Sequence, residues 1–350
     1  MHFCLNFVSP IIQWDPMPIK CLEEKPLVSI IIPTFNCSKL IKEVVQEVLQ
    51  QTYEKIEILI GDNSSNDDTF IIASELSRKD ERIRVFRNVR NLGAIQNIQL
   101  LIFRAKGELV FIRSCGDSYS KNYISRMVEI HTRNPNCVLS LPKIEVSYGG
   151  VPLYFVYSQN TSKRFYQRFW YSLRHFPSVG FYGVYKKEYL LKSLPVLPSF
   201  GADLILVSTL ALFGEFTFDS EACYKFETRE KRNSLQQDIN FFFGAKGFND
   251  SCRPGFNMLK GRLFSNNTLD ISKIEKVILN SLTCFAFSYE LALKSIVGLL
   301  RLLGLDRKSF MTFWIKLYML FFAPKGTNIG NDELFRKIEV AGKFGLRNVN

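Results

Sequence analysis

The stretch Leu27-Val28-Ser29-Ile30-Ile31-Ile32-Pro33-Thr34-Phe35-Asn36 sets the frame for the rest of the chain. Residues 28–32 are a β-branched run stopped by Pro33, the pattern of a buried strand. Residues 40–51 then carry apolar side chains at Leu40, Ile41, Val44, Val45, Val48 and Leu49, which is helical spacing. A second strand is expected over 56–60, ended by the polar loop Gly61-Asp62-Asn63-Ser64-Ser65-Asn66-Asp67-Asp68. A helix over 69–79, a strand over 83–86, a helix over 94–105 and a strand over 109–112 continue the alternation. This spacing predicts βαβ units, hence an α/β fold of Rossmann type with a mostly parallel sheet flanked by helices. Beyond it come short strands over 138–141 and 183–185, an apolar helix over 204–213, a polar basic loop over 227–237 and long apolar helical patterns over 271–322.

The composition is that of a globular chain: 350 residues, 47% hydrophobic and 22% charged. Lys and Arg number 45 against 33 Asp and Glu, and the resulting +12 favours anionic partners. Eight cysteines are scattered with no CxxC pair, and the N-terminal 26 residues are interrupted by Asp15, Lys20, Glu23 and Glu24. They are expected to be reduced thiols of a cytoplasmic protein without a signal sequence. Three histidines, His2, His131 and His175, have no partner at metal-ligand spacing, which argues against a Cys/His zinc site or a histidine triad. Charge is the only feature favouring a nucleic-acid binder, and no nucleic-acid motif accompanies it, so none is expected as a partner.

Ligands of open α/β sheets bind beyond the carboxyl ends of the strands. Here those ends are Pro33-Thr34-Phe35-Asn36, Asp62-Asn63-Ser64-Ser65 and Arg113-Ser114-Cys115-Gly116-Asp117. Carboxylates there can accept hydrogen bonds from a base or ribose, or hold a cation against phosphate. Asp62 and Asn63 are also ordinary turn formers, and residue type alone does not separate the two roles.

Taken in order, these blocks resemble a family 2 glycosyltransferase of the GT-A fold. The similarity runs through the first strand, Gln51-Thr52-Tyr53, Glu57 to Thr69, Asn91-Leu92-Gly93, Asn97 and Ala105-Lys106-Gly107-Glu108. It implies a nucleotide-sugar donor, most simply a UDP-sugar, with the base near Pro33, Thr34 and Asp62. Asn36, Asn63, Asn91 and Gly93 are the further donor contacts it implies. The family's Asp-x-Asp-like cluster falls on Ser114-Cys115-Gly116-Asp117, so only Asp117 remains as a carboxylate ligand. A divalent cation, Mg2+ or Mn2+, is therefore expected to be weakly bound or dispensable. Gln96 stands where the family often has an Arg.

A second group of blocks, Phe181-Tyr182-Gly183-Val184-Tyr185-Lys186, Phe200-Gly201-Ala202-Asp203-Leu204 and Leu210 to Phe216, resembles the acceptor half. The resemblance implies that Asp203 deprotonates the acceptor hydroxyl in an inverting displacement, and Asp203 is equally placed to cap the helix behind it. Arg229 and Arg232 lie where the family has a basic loop over the diphosphate, a task that suits guanidinium. His175, between Trp170 and Phe176, is expected to be a packing residue.

Three divisions are expected: an N-terminal extension over 1–26, a GT-A-like domain over 27–240 and a helical, basic region over 241–350. The middle domain splits into a nucleotide half over 27–123 and an acceptor half over 124–240. From Val277 on, ten Lys and Arg face five Asp and Glu. The aromatic run 310–323 is too short to span a bilayer of ~30 Å, so peripheral contact with the inner face of the cell membrane is the alternative to a helical cap. The expected function is sugar transfer to a glycan or lipid-linked acceptor in surface polysaccharide synthesis. A catalytically silent GT-A domain is the rival, motivated by the broken metal cluster.

Overall fold

The computed structural model describes residues 22, 24–148, 151–155, 164–175, 181–198, 201–226 and 254–302. The first four strands are β1 (Val28–Thr34), β2 (Ile56–Asp62), β3 (Ile83–Arg87) and β4 (Leu109–Ile112). Between them lie α1 (Ile41–Leu49), α2 (Thr69–Lys79) and α3 (Ala94–Arg104). The strands pair in the order β3-β2-β1-β4, all parallel. β1 runs through Pro33 to Thr34 instead of stopping at the proline, and Pro33 sits opposite Gly61.

The run Val28–Thr34 is buried throughout except for half-buried Pro33, because both sheet faces are covered. Val28, Ile30 and Ile32 point into a core with α1, α2 and α4 (Tyr123–Arg133), whereas Ile31 joins Leu59, Val110 and Ile112 on the other face. That second core is closed by α3, α6 (Lys187–Lys192) and α7 (Ala202–Leu210). α1 shows the logic at residue level: Ile41, Val44, Val45 and Val48 are buried at i, i+3, i+4 and i+7. Each such side chain contributes about 1.5–3 kcal/mol by leaving water.

The sheet then changes character. β8 (Val184–Lys186) lies antiparallel to β4, and β6 (Cys137–Tyr148) lies antiparallel to β8. β9 (Glu215–Phe226) is parallel to β6, with register shifts around Pro142, which has no N–H to donate. The short β5 (Ser118–Tyr119) closes the far edge on β9, and β7 (Val151–Phe155) pairs only with β6. β6 extends well beyond the strand expected over 138–141, and β9, α4 and α5 (Phe165–His175) have no counterpart among the expected elements.

α8 (Pro254–Thr268) and α9 (Lys273–Leu302) form a helical pair. A third core of Phe165, Phe169, Leu173, Leu212, Leu269, Leu279 and Ala286 joins them to α5 and the end of α7. Buried Arg168 donates to the Ala211 and Leu212 carbonyls, both at 2.8 Å, and so satisfies the end of α7. Among the described residues no helix is long and apolar enough to cross a membrane. The expected loop 227–237 and the aromatic run 310–323 lie outside the described residues.

Candidate active site

Parallel pairing brings the carboxyl ends of β1, β2 and β3 to one edge, where Thr34, Asp62 and Arg87 stand in register across three strands. Asp62 is fully buried at the end of β2 and accepts from the Ser65 N–H at 3.3 Å. Its Oδ2 lies 3.3 Å from Arg87 Nε. The Arg87 guanidinium also donates to the Ser65 carbonyl at 3.1 Å and lies 4.8 Å over the Phe70 ring. Thr34 Oγ1 donates to the Gly61 carbonyl at 3.3 Å. The structure thus brings together Pro33, Thr34 and Asp62, and adds Arg87, which the sequence reading missed.

Asn63 and Asn91 meet as well, but on each other. Asn63 Nδ2 donates to Asn91 Oδ1 at 2.8 Å, and Asn63 Oδ1 accepts from Asn88 Nδ2 and the Leu92 N–H, both at 3.0 Å. Asn91 Oδ1 also accepts the Gly93 N–H at 2.8 Å, and Gly93 precedes α3 with φ of 83°. Asn97 extends the network to the Gly61 carbonyl at 2.8 Å. The Asn63 side chain is therefore spent within the protein, fixing the loop that carries Asp62, rather than being turned towards a ligand.

Exposed Asn36 stitches the β1 loop to the β2 loop. Its N–H donates to Ser65 Oγ at 2.9 Å and its Oδ1 accepts the Asn66 N–H at 3.0 Å. Asp67 does the same from the other side, accepting from the Ser38 and Thr69 N–H groups, each at 3.1 Å. Burial opposes ionisation of Asp67, yet the hydrogen bonds from Thr69 and Ser38 hold its carboxyl below the usual range.

At the end of β4 stands Arg113, a residue quoted in the sequence reading but given no role. It is fully buried; its Nη2 lies 2.7 Å from Glu47 Oε2 and its Nη1 donates to the Ser114 carbonyl. Gly116 takes a φ of 103°, and Asp117 follows, nearly buried, accepting from Tyr224 Oη at 2.8 Å. Tyr224 stacks on Tyr182, centroids 5.2 Å apart and planes 7° off parallel.

Asp203 lies in the first turn of α7, which starts at Ala202, two residues before the expected helix. The cap position falls to Gly201, at φ 77°, and no side chain caps the helix, so the expectation that Asp203 serves as the cap is corrected. The positive φ favours glycine at 201, and a Cβ there would also meet Met258 Sδ at 2.7 Å, at the end of a flexible side chain. Burial pushes the Asp203 carboxyl up to about 6, against the N–H groups of Leu204 and Asp203 and the Arg262 guanidinium of α8, which pull it down. Asp203 thus complements the helix dipole and takes up first-turn N–H groups from inside the helix, not from the cap position. Arg229 and Arg232 lie outside the described residues, and His175 ends α5.

Residues 29–194 match the family model for glycosyl transferase family 2. This part of the chain belongs to that family. A curated relative, the UDP-Glc:alpha-D-GlcNAc-diphosphoundecaprenol beta-1,3-glucosyltransferase WfaP of Escherichia coli, is 37% identical over 102 residues, 29% of this chain and 40% of the relative. The matches span well under half the length of the first curated relatives. Among solved structures, S. aureus TarS 1-349 in complex with UDP-GlcNAc superposes with a TM-score of 0.53 at 18% identity, over 74% of this chain and 72% of that one. The mannosyltransferase PcManGT from Pyrobaculum calidifontis, solved with GDP-Man and Mn2+, gives 0.50 at 14% identity, over 88% and 89%. At these identities the likeness is one of fold, and it is the GT-A fold of family 2 domains.

The family implies a divalent cation after β4, and the residues present do not fit one. Mg2+ and Mn2+ favour octahedral oxygen donors. Ser114 and Gly116 bring no carboxylate, Asp117 is hydrogen-bonded to Tyr224, and a fixed guanidinium stands at the same strand end. Among the described residues no three His, Cys, Asp or Glu side chains are grouped to hold a metal. The expected role of Asp117 as a metal ligand thus rests on the resemblance alone.

Proposed function

We propose that this family 2 domain transfers a sugar from a nucleotide-sugar donor to an acceptor hydroxyl with inversion at the anomeric carbon. The observation that carries the reading is the in-register set Thr34, Asp62 and Arg87 at the carboxyl edge of a GT-A sheet. Asp62 and Thr34, with Pro33, receive the base and ribose, while Asn36, Asn63, Asn91 and Gly93 keep that loop in shape. Asp203 is the general base. Its raised carboxyl is still ionised at neutral pH and is basic enough to take a hydroxyl proton in the transition state. The acceptor oxygen forms the new bond to the anomeric carbon as the bond to the diphosphate breaks, and the nucleoside diphosphate leaves with both electrons. Arg229 and Arg232 are the candidates for countering its charge.

The two halves share one core: Ile95 at the start of α3 and Ala202 at the start of α7 belong to the same cluster. Buried Gln99 ties α3 to the segment before α7 through paired bonds of 3.0 Å with Val196. This supports a place for Asp203 beside the donor edge. A UDP-sugar donor and a lipid-linked acceptor are supported by the activity named for the Escherichia coli relative, and a place in surface polysaccharide synthesis by a Bacillus subtilis relative named for teichuronic acid biosynthesis; the cytoplasmic membrane face belongs to the same proposal. The test is thermal stabilisation across a panel of nucleotide sugars, followed by nucleoside diphosphate release on adding lipid-linked acceptors. A ligand bound only by the folded state raises the melting temperature. Stabilisation by one donor class and acceptor-dependent release are expected; no response to any nucleotide sugar contradicts the reading.

A further inference from the structure

Arg113 is a costly residue to keep. Its side chain is 1% exposed, with the guanidinium 4.8 Å over the Tyr119 ring, and removing a guanidinium from water costs several kcal/mol. Its one carboxylate partner among the described residues, Glu47, is 36% exposed, so water screens that partner far more than the arginine. The Arg113 Nε is buried and makes no hydrogen bond among the described residues. The position is the last before Ser114-Cys115-Gly116-Asp117, and Arg113 Nη1 is fastened to the Ser114 carbonyl of that very segment. Charge and missing ligand therefore coincide: the segment that keeps only Asp117 of the Asp-x-Asp-like pair carries a permanent cation at its root.

Resting on the donor reading above, we infer that this domain holds its donor diphosphate without a divalent cation, and that Arg113 supplies the fixed positive charge at the end of β4. Arg113 acts as a positioning residue through the field it sets at the strand end, not by contact. A guanidinium keeps its charge at any working pH and needs no exchangeable ion. Asp117, engaged by Tyr224, tethers β9 to this segment instead of holding a metal. A dication at Asp117 would face the like charge of Arg113 and be disfavoured.

The experiment is calorimetric titration of UDP and of GDP into the full chain, once with EDTA and once with millimolar Mn2+. The dissociation constant of whichever nucleotide binds is expected to agree within about threefold between the two conditions. Binding that appears only with Mn2+ overturns the inference while leaving the donor reading intact, whereas no binding in either condition overturns the donor reading itself. Arg113→Met keeps the bulk and removes the charge, and is expected to weaken binding at least about tenfold in a variant that melts cooperatively. Unchanged affinity there overturns the role of Arg113. Should that variant not fold, Glu47→Gln decides: it strips the arginine of its partner charge on an accessible helix face. Tighter nucleotide binding by Glu47→Gln supports the inference, and equal or weaker binding overturns it.

Discussion

Tyr224 donates a 2.8 Å hydrogen bond to Asp117 across a sequence separation of 107 residues, and so ties the last strand of the sheet to the segment that follows β4. Burial, with the negative charge of Asp117 next, pushes the tyrosine hydroxyl well above its ordinary value, so it remains a donor at every working pH. Tyr182 stacks on the same ring, and its carbonyl accepts from Tyr123 Oη at 2.7 Å. The segment 117–123 is thereby bolted to Tyr182 and to β9 by aromatic rings and one carboxylate.

Tyr224→Phe removes that donor and leaves a nearly buried carboxylate short of a partner. The expected loss is ~1–3 kcal/mol of stability, seen as a lower melting temperature. Asp117→Asn keeps an acceptor for the hydroxyl and is expected to cost less. Equal melting of Tyr224→Phe and the wild type would remove the tether.

Asp62 and Arg87 meet at 3.3 Å beneath the proposed base site. Asp62→Ala is expected to lower nucleotide affinity at least about tenfold by calorimetry while the sheet, whose cores do not include it, stays folded. Arg87→Met leaves the carboxylate present but unguided, and a smaller loss is expected. Wild-type affinity in a folded Asp62→Ala variant contradicts the donor assignment.

The parallel half of the fold was legible because Val28, Ile30, Ile31 and Ile32 are buried on both faces and α1 and α3 repeat at helical spacing. The block 105–108 was legible for a reason that the structure supplies. Glu57 accepts the Lys106 N–H at 2.5 Å, the Gly107 N–H reaches Ser29 Oγ at 2.7 Å, and a Cβ at Gly107 would meet the Leu27 carbonyl at 2.5 Å. The antiparallel half was not, since β9 alternates polar Glu215, Thr217 and Asp219 with Phe216, Phe218 and Ala222, a pattern that short-range reading left unassigned. Arg87, Arg113 and Tyr224 escaped notice because their roles depend on partners 25 to 107 residues away, which spacing along the chain does not reveal.

His131 offers a pH test of the packing. Its imidazole is buried between the Val184 carbonyl, 2.9 Å from Nε2, and the Cys137 carbonyl, 3.3 Å from Nδ1. Burial, with Lys186 adding to it, lowers its pKa to about 4 although both carbonyls favour the charged ring. The unfolded chain takes a proton near ~6.5 and the folded one only near 4, so the stability from neutral His131 is present above 6.5 and drains away as pH falls towards 4. His131→Gln is expected to flatten that part of the stability–pH curve in chemical unfolding. An unaltered slope between pH 6.5 and 4 contradicts the assignment.

Asp203 carries the opposite linkage. Its folded pKa, about 6, lies above the ordinary 3.8, so the carboxyl favours the fold most when protonated and costs stability as pH rises through 6. Asp203→Asn is therefore expected to melt no lower than wild type at neutral pH, with the difference vanishing towards pH 3.8. A lower melting temperature of the Asn variant at neutral pH would show that the ionised carboxylate is stabilising, through Arg262 or the helix dipole.

Proton transfer from the acceptor to Asp203 is read directly by the transfer rate against pH for wild type and Asp203→Asn with the same donor and acceptor. The wild type is expected to lose kcat/KM as pH falls through about 6, where the carboxylate is protonated. The Asn variant is expected to bind donor normally and to transfer ~10²–10⁴ times more slowly, with no inflection near 6. Wild-type transfer by the Asn variant, or an inflection near 6 that survives the substitution, would contradict the account.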